Sequence, residues 1–168
     1  MVVDSGGDRY GRRREDDPLR QAHDLDSAFR VRGLRVTPQR RAIFAVLDRN
    51  EAHPSAESIH SAVLDEMPDV SLRTVYQTLS ELTEMGEILS LDLGTGAARF
   101  DPNTDPHHHL VCERCGVIRD VEVPRADVVP SADHGFTIHG TEIVFRGLCP
   151  ACDRTTPNRP VASHPPTQ

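Results

Sequence analysis

The residue types able to do chemistry gather in the last third of the chain. Four cysteines lie there as two pairs, Cys112-Glu-Arg-Cys115 and Cys149-Pro-Ala-Cys152, with 33 residues between them. Two residues between paired cysteines let both sulfurs turn toward one ion, and two such knuckles supply four thiolates to a tetrahedral Zn²⁺. Such a site contributes on the order of 10 kcal/mol to folding. The other readings of the same residues are disulfides, unused thiols or a redox-active pair. Disulfides are disfavoured in a chain with no export signal, and two matched pairs argue against a redox motif.

Just before the first knuckle runs Asp101-Pro-Asn-Thr-Asp105-Pro-His107-His108-His109. If this stretch is extended, His107 and His109 project to one face and His108 to the other. Two imidazoles beside Asp101 make a mixed N/O donor set. On a following strand, Ile118, Asp120 and Glu122 share a face, so Asp120 is a further carboxylate that folding can bring close. Such donors suit Fe²⁺ or Mn²⁺ and tolerate Zn²⁺ or Ni²⁺. The alternative reading is three solvated loop histidines. His53, in Ala52-His53-Pro54-Ser55, reads from spacing alone as a solvated residue between helices.

Elements must hold these groups in place. Residues 24–91 read as helical. Thr37-Pro38 is a helix start, with an N-cap hydroxyl and proline at the first position, and Ala42, Ile43, Val46 and Leu47 give the apolar stripe. Ser55 caps a second helix, with Ile59, Ala62 and Val63 inward. Ser71 caps a third, through Val75, Leu79 and Leu82, ending near Gly86. Ile88–Leu93, a Gly94-Thr95-Gly96 turn and Ala97–Phe100 then read as a hairpin. Three helices and a hairpin describe a winged helix, whose third helix enters a DNA groove. Beyond Asp105 the chain reads as strands at 109–112, 116–123 and 141–148, with a segment at 124–134 that is helical at best. This second unit has too little core to stand without a staple. The expected fold class is α+β. Residues 1–22 read as a disordered arm, 23–97 as a winged helix-turn-helix DNA-binding domain, 98–152 as a small α/β dimerisation domain with a four-cysteine zinc site, and 153–168 as a disordered tail.

Net charge is −7, yet residues 29–49 carry six arginines against Asp48, a local balance of +5. Clustering, not the total, decides whether phosphate is attracted. No apolar run approaches the ~20 residues of a membrane span, so no membrane partner is expected. The N-terminus has no apolar core of a secretory signal, so a cytoplasmic location is expected.

In combination and order, GLRVTPQR (33–40), AHPSAESIH (52–60), VSLRTVYQTLSEL (70–82), ARFD (98–101), HHHLVCERCG (107–116) and GLCPAC (147–152) resemble the ferric uptake regulator family over residues 24–152. The resemblance implies a homodimeric, metal-dependent transcriptional repressor that binds palindromic double-stranded operator DNA. It implies structural Zn²⁺ on Cys112, Cys115, Cys149 and Cys152. It also implies a regulatory Fe²⁺ or Mn²⁺ site between domains, on His53, Asp101, His107, His109 and Asp120. Tyr76 resembles a residue that reads bases in the major groove, and Arg35 one that enters the minor groove. Arg40 and Arg73 are expected at phosphates, which fix register without carrying sequence information.

Asp101 resembles the peroxide-sensing branch, where iron sensors more often carry Glu. That branch implies oxidation of a ligand imidazole at His53 or His107 by peroxide and bound iron. The alternatives within the family are an iron- or manganese-responsive uptake regulator and a zinc or nickel regulator. The chain departs from the family at Gln77, where many iron sensors have Arg, and in a shorter segment between knuckles that Pro130 interrupts. Thr141 stands where some members carry a further histidine ligand, so no third site is expected. His134 and His139 are left without a role. An enzyme is not expected: a metallohydrolase would need a separate base and a substrate pocket. A zinc-ribbon module without a DNA role would leave the helical half unexplained.

Overall fold

A computed structural model describes residues 22–123, 134–138 and 140–154. Most of the helices start at sequence signals. Helix α1 spans Ala22–Val31, α2 Pro38–Leu47, α3 Ala56–Leu64 and α4 Leu72–Met85. The hydroxyls of Thr37, Ser55 and Ser71 accept from the backbone N–H three residues on, which caps α2, α3 and α4. Gly86, at φ 74°, ends α4 in the left-handed region that a glycine enters without strain.

Helix α1 was not foreseen as an element, because no capping residue followed by proline announces it. Its signal is Leu25 and Phe29, one turn apart and both buried. Phe29 packs on Phe44 of α2 with ring centroids 5.0 Å apart. The first core joins these to Ile43, Leu47, Ile59, Val63, Val75, Leu79 and Leu82, closed below by Ile88 and Phe100. Ala62, expected inward, is exposed on α3.

Strand β1 (Leu89–Leu91) pairs antiparallel with β2 (Arg99–Asp101), matching Leu89 with Asp101. This ladder runs across the 97/98 boundary drawn from sequence, so Asp101 ends the hairpin of the helical half. The second sheet has the order β4-β3-β5, with β3 at His108–Cys112, β4 at Ile118–Val121 and β5 at Val144–Gly147. Strand β4 runs antiparallel to β3, and β5 runs parallel to it. A one-turn helix, α5 (Pro150–Asp153), follows. Among the described residues the core here is Leu91, Leu93, Val111 and Ile118, with Leu89 and Val144 against it. The segment expected at 124–134 falls, apart from His134, outside the described residues, as do the arm, most of the tail and His139.

Candidate metal centres

The first cluster forms at the ends of β3 and β5. Cys112 closes β3, and the Gly116 N–H donates to the Cys112 carbonyl at 2.9 Å, folding the knuckle back. Gly116 sits at φ 69°, where a side chain would be strained. The backbone N–H of Cys149 donates to Cys112 Sγ at 3.3 Å and ties the second knuckle to the first. None of the four cysteines is in a disulfide, and their sulfurs lie within 4.8 Å of one another. Cys115 Sγ and Cys149 Sγ are 3.7 Å apart. A tetrahedron of Zn–S bonds about 2.3 Å long has edges of about 3.8 Å. Backbone N–H groups of Cys115 and Cys149 hold the Cys112 thiol down at about 6, whereas burial and the neighbouring sulfurs push Cys152 up to about 12. That spread belongs to crowded sulfurs that cannot all carry charge together; a divalent cation is what this donor set fits.

The second cluster draws on three separate stretches of chain. His53 comes from the loop between α2 and α3, Asp101 from the end of β2, His107 from the residue before β3, His109 from β3, and Asp120 from β4, directly across from His109. One donor atom from each lies within 4.8 Å of all the others. His53 Nε2 is 2.8 Å from Asp120 Oδ1 and 3.4 Å from Asp101 Oδ2. His107 Nε2 is 2.9 Å from Asp101 Oδ2 and 2.9 Å from His109 Nε2. His53 is 0% exposed, and Asp101 and His109 are each 2% exposed.

The outer ring nitrogens are all engaged. His53 Nδ1 donates to the Glu51 carbonyl, His107 Nδ1 to the Asp105 carbonyl, and His109 Nδ1 to Glu142 Oε1. Acceptors on that side put the N–H there and turn each Nε2 lone pair toward the common centre. Despite their close neighbours, His53 Nε2 and Asp101 Oδ2 are buried without any partner in hydrogen-bond geometry. Converging, misaligned donors of this kind fit an ion better than they fit one another. Burial pushes the His53 imidazole down, but Asp101 and Asp120 override it and raise it to about 9. His107 is raised by the same balance, chiefly through Asp101. Burial would raise Asp101, yet His107 and His53 hold its carboxyl well below the usual carboxylate range; Asp120 is likewise lowered.

Backbone contacts dock the His53 loop onto the hairpin. His53 itself stands at φ 50°, a strained conformation for a non-glycine residue. Arg99 donates to the His53 carbonyl and to the Gly116 carbonyl, bridging the loop to the first knuckle. The Phe100 N–H donates to the Pro54 carbonyl at 3.0 Å. Sequence reasoning missed Arg99, Asn103 and Glu142, which orient the donors without being among them. Asp101-x-Asn103 carried a signal, since Asp readily accepts from the N–H two residues on. Glu142, distant in sequence, carried none.

The residues expected at DNA are less uniform. Arg73, Tyr76, Gln77 and Ser80 are exposed along one stripe of α4, opposite Val75, Leu79 and Leu82. Tyr76 is outside the core, and its hydroxyl donates to Glu57 Oε1 at 2.6 Å. Arg35 is exposed on the turn before α2. Arg40, expected at a phosphate, is engaged within the chain. Its guanidinium pairs with Glu81 at 2.5 Å, donates to the Arg35 carbonyl and stacks over Phe29, so it pins α2 to α4 instead.

A model of the ferric uptake regulator family matches residues 31–146. The peroxide-responsive repressor PerR of Staphylococcus epidermidis is 36% identical over 138 residues, covering 77% of this chain and 91% of that relative. A solved zinc-bound manganese uptake regulator superposes with a TM-score of 0.62 at 26% identity, over 74% of this chain and 98% of its own. The ferric uptake regulator of Pseudomonas aeruginosa with manganese superposes with a TM-score of 0.58 at 27% identity, over 75% and 98%.

Proposed function

This chain belongs to the ferric uptake regulator family, and from that premise we propose that it is a metal-dependent DNA-binding repressor that senses peroxide. The observation that carries this reading is the convergence of His53, Asp101, His107, His109 and Asp120 from three stretches of chain, with His53, Asp101 and His109 buried. We assign them as ligands of a regulatory Fe²⁺ or Mn²⁺, and the four cysteines as ligands of a structural Zn²⁺. One ion shared between the His53 loop and the β3–β4 sheet favours the arrangement in which both are docked. Its differential affinity for docked and undocked forms sets how far the population moves.

Helices α2–α4 with the β1–β2 hairpin act as a winged helix-turn-helix, in a DNA-binding unit that extends past the expected 97/98 boundary to Asp101, beside a dimerisation unit that runs on to residue 152. The exposed stripe of α4 supports placing Tyr76 at bases and Arg73 at phosphates, with Arg35 directed to the minor groove. Leu110 and Phe145 are register partners on the outer face of the second sheet, 47% and 41% exposed. An apolar pair of this kind supports a second copy as partner, and a two-fold dimer calls for a palindromic operator. No described helix is long and apolar enough to cross a membrane. Members of the family are regulators rather than enzymes.

A ferrous ion held by this cluster would supply one-electron chemistry toward hydrogen peroxide. His53 and His107, whose Nε2 atoms face the carboxylates of the cluster, would be among the residues that hold it. In net terms a ring C–H gains one oxygen from peroxide, and the other oxygen leaves as water. The modified ring no longer serves as a ligand, the His53 loop loses its tie to the β3–β4 sheet through the ion, and DNA affinity falls. The test is to load zinc-replete protein anaerobically with Fe²⁺, add stoichiometric hydrogen peroxide and map peptide masses. One added oxygen on the peptides bearing His53 or His107, absent with Mn²⁺, is the expected result. Unmodified histidines with DNA binding intact would instead make this a regulator of iron or manganese availability.

A further inference from the structure

Asn103 is an interior polar residue to which the ligand set gives no role. It is 7% exposed, on the turn between β2 and β3. Its Nδ2 donates to Asp120 Oδ2 at 3.0 Å, and its Oδ1 accepts from the Asp105 N–H at 3.3 Å. Its backbone N–H donates to Asp101 Oδ1 at 2.7 Å. These partners settle the orientation of the amide, since a carboxylate only accepts and a backbone N–H only donates. One residue therefore occupies one oxygen of each carboxylate in the cluster. The other two oxygens, Asp101 Oδ2 and Asp120 Oδ1, are the ones that face the imidazoles.

We propose that Asn103 is a positioning residue that limits both carboxylates to one oxygen each at the metal, so that the protein fills five positions and leaves one for an exogenous ligand. The proposal deepens the peroxide-sensing reading and rests on it. Carboxylates bind divalent ions through one oxygen or two, and hard ions such as Mn²⁺ favour six donors. Three imidazoles and two single oxygens make five. If Asp120 were free to turn its second oxygen inward, the protein itself would complete six. A small anion, or peroxide, would then have nowhere to bind. The Asn103 side chain acts on Asp120 and its backbone on Asp101, so Asn103→Ala releases only the Asp120 oxygen.

The test uses the zinc-loaded dimer with Co²⁺ as probe and azide as exogenous ligand. The visible bands of bound Co²⁺ report its coordination. In the unmodified protein azide is expected to shift those bands saturably. In Asn103→Ala azide affinity is expected to fall about tenfold or more, the range seen for residues that orient metal ligands, with no parallel fall in Co²⁺ affinity. A merely structural role would lower Co²⁺ affinity in step. Parallel loss of both, or no change in either, overturns the proposal. If Asn103→Ala sheds its zinc and fails to fold, the unmodified protein decides: bands indifferent to azide overturn the proposal, and a saturable shift supports it. His53→Ala separates the underlying reading, because Co²⁺ bands that persist unchanged in that variant would remove the regulatory site itself.

Discussion

The two clusters lie at opposite ends of the short strand β3, and they are built on opposite plans. The cysteine cluster uses two knuckles of one small sheet, and its Cys115 is exposed. The histidine–carboxylate cluster buries His53, Asp101 and His109, leaves Asp120 exposed, and takes His53 from a loop of the helical half. A site closed within one unit makes that unit fold, and losing it costs the unit. A site that spans two units adds only the difference between docked and undocked forms, so losing it costs an arrangement. The contrast separates a staple from a sensor.

The largest expected effect tests the staple. Cys112→Ser or Cys149→Ser should lose zinc and the folded second unit together, as measured by zinc content and sedimentation. A zinc-free variant that stays dimeric and folded would erase the contrast. Next comes the sensor: His53→Ala should keep zinc and fold while losing about 10- to 100-fold of Mn²⁺-dependent DNA affinity, read by fluorescence anisotropy. Full activation by Mn²⁺ in that variant would break the comparison from the other side.

A smaller effect follows from protons. His53 is raised from 6.5 to about 9 in the metal-free cluster. Its contribution to metal-free stability is therefore fully present below about 6.5 and lost as pH rises through about 9. A bound ion must displace that proton, so Mn²⁺ affinity should rise about tenfold per pH unit for each proton displaced. Titrations at two pH values between those limits check the slope, and a flat profile would contradict it. The smallest effect concerns Arg99, which touches both plans. Arg99→Ala should weaken Mn²⁺ by about 5-fold, at the low end of site-to-site coupling, without shedding zinc. Zinc loss in that variant would mean that the two clusters are one structural unit.

Legibility in the sequence divides along the same line. Cys112–Cys115 and Cys149–Cys152 are readable because two-residue spacing is itself the geometry of a knuckle. Thr37, Ser55, Ser71 and Gly86 were readable because caps act on their nearest neighbours. His107 and His109 share a face by strand alternation alone. His53 was different, since nothing within its own loop distinguishes a buried imidazole from a solvated one. Only the family resemblance singled it out. Its place is set by contacts from Arg99, Phe100 and the two carboxylates, all distant in sequence. The partners of Arg40 were illegible for the same reason, because Glu81 and Phe29, which engage it, lie on other helices.

The docking of the His53 loop has a consequence for response. Arg99 and the Phe100 N–H grip the carbonyls of His53 and Pro54, not the imidazole. Neither grip uses the imidazole or an ion. Moving a two-state balance from 1:99 to 99:1 takes about 5.5 kcal/mol, and a loop already held by its main chain needs less. On the proposed reading, a device pretensioned in this way responds to a scarce signal, and it should leak: the ion-free protein is expected to retain a residual grip on its operator, so that silence is incomplete and the gain is a finite ratio.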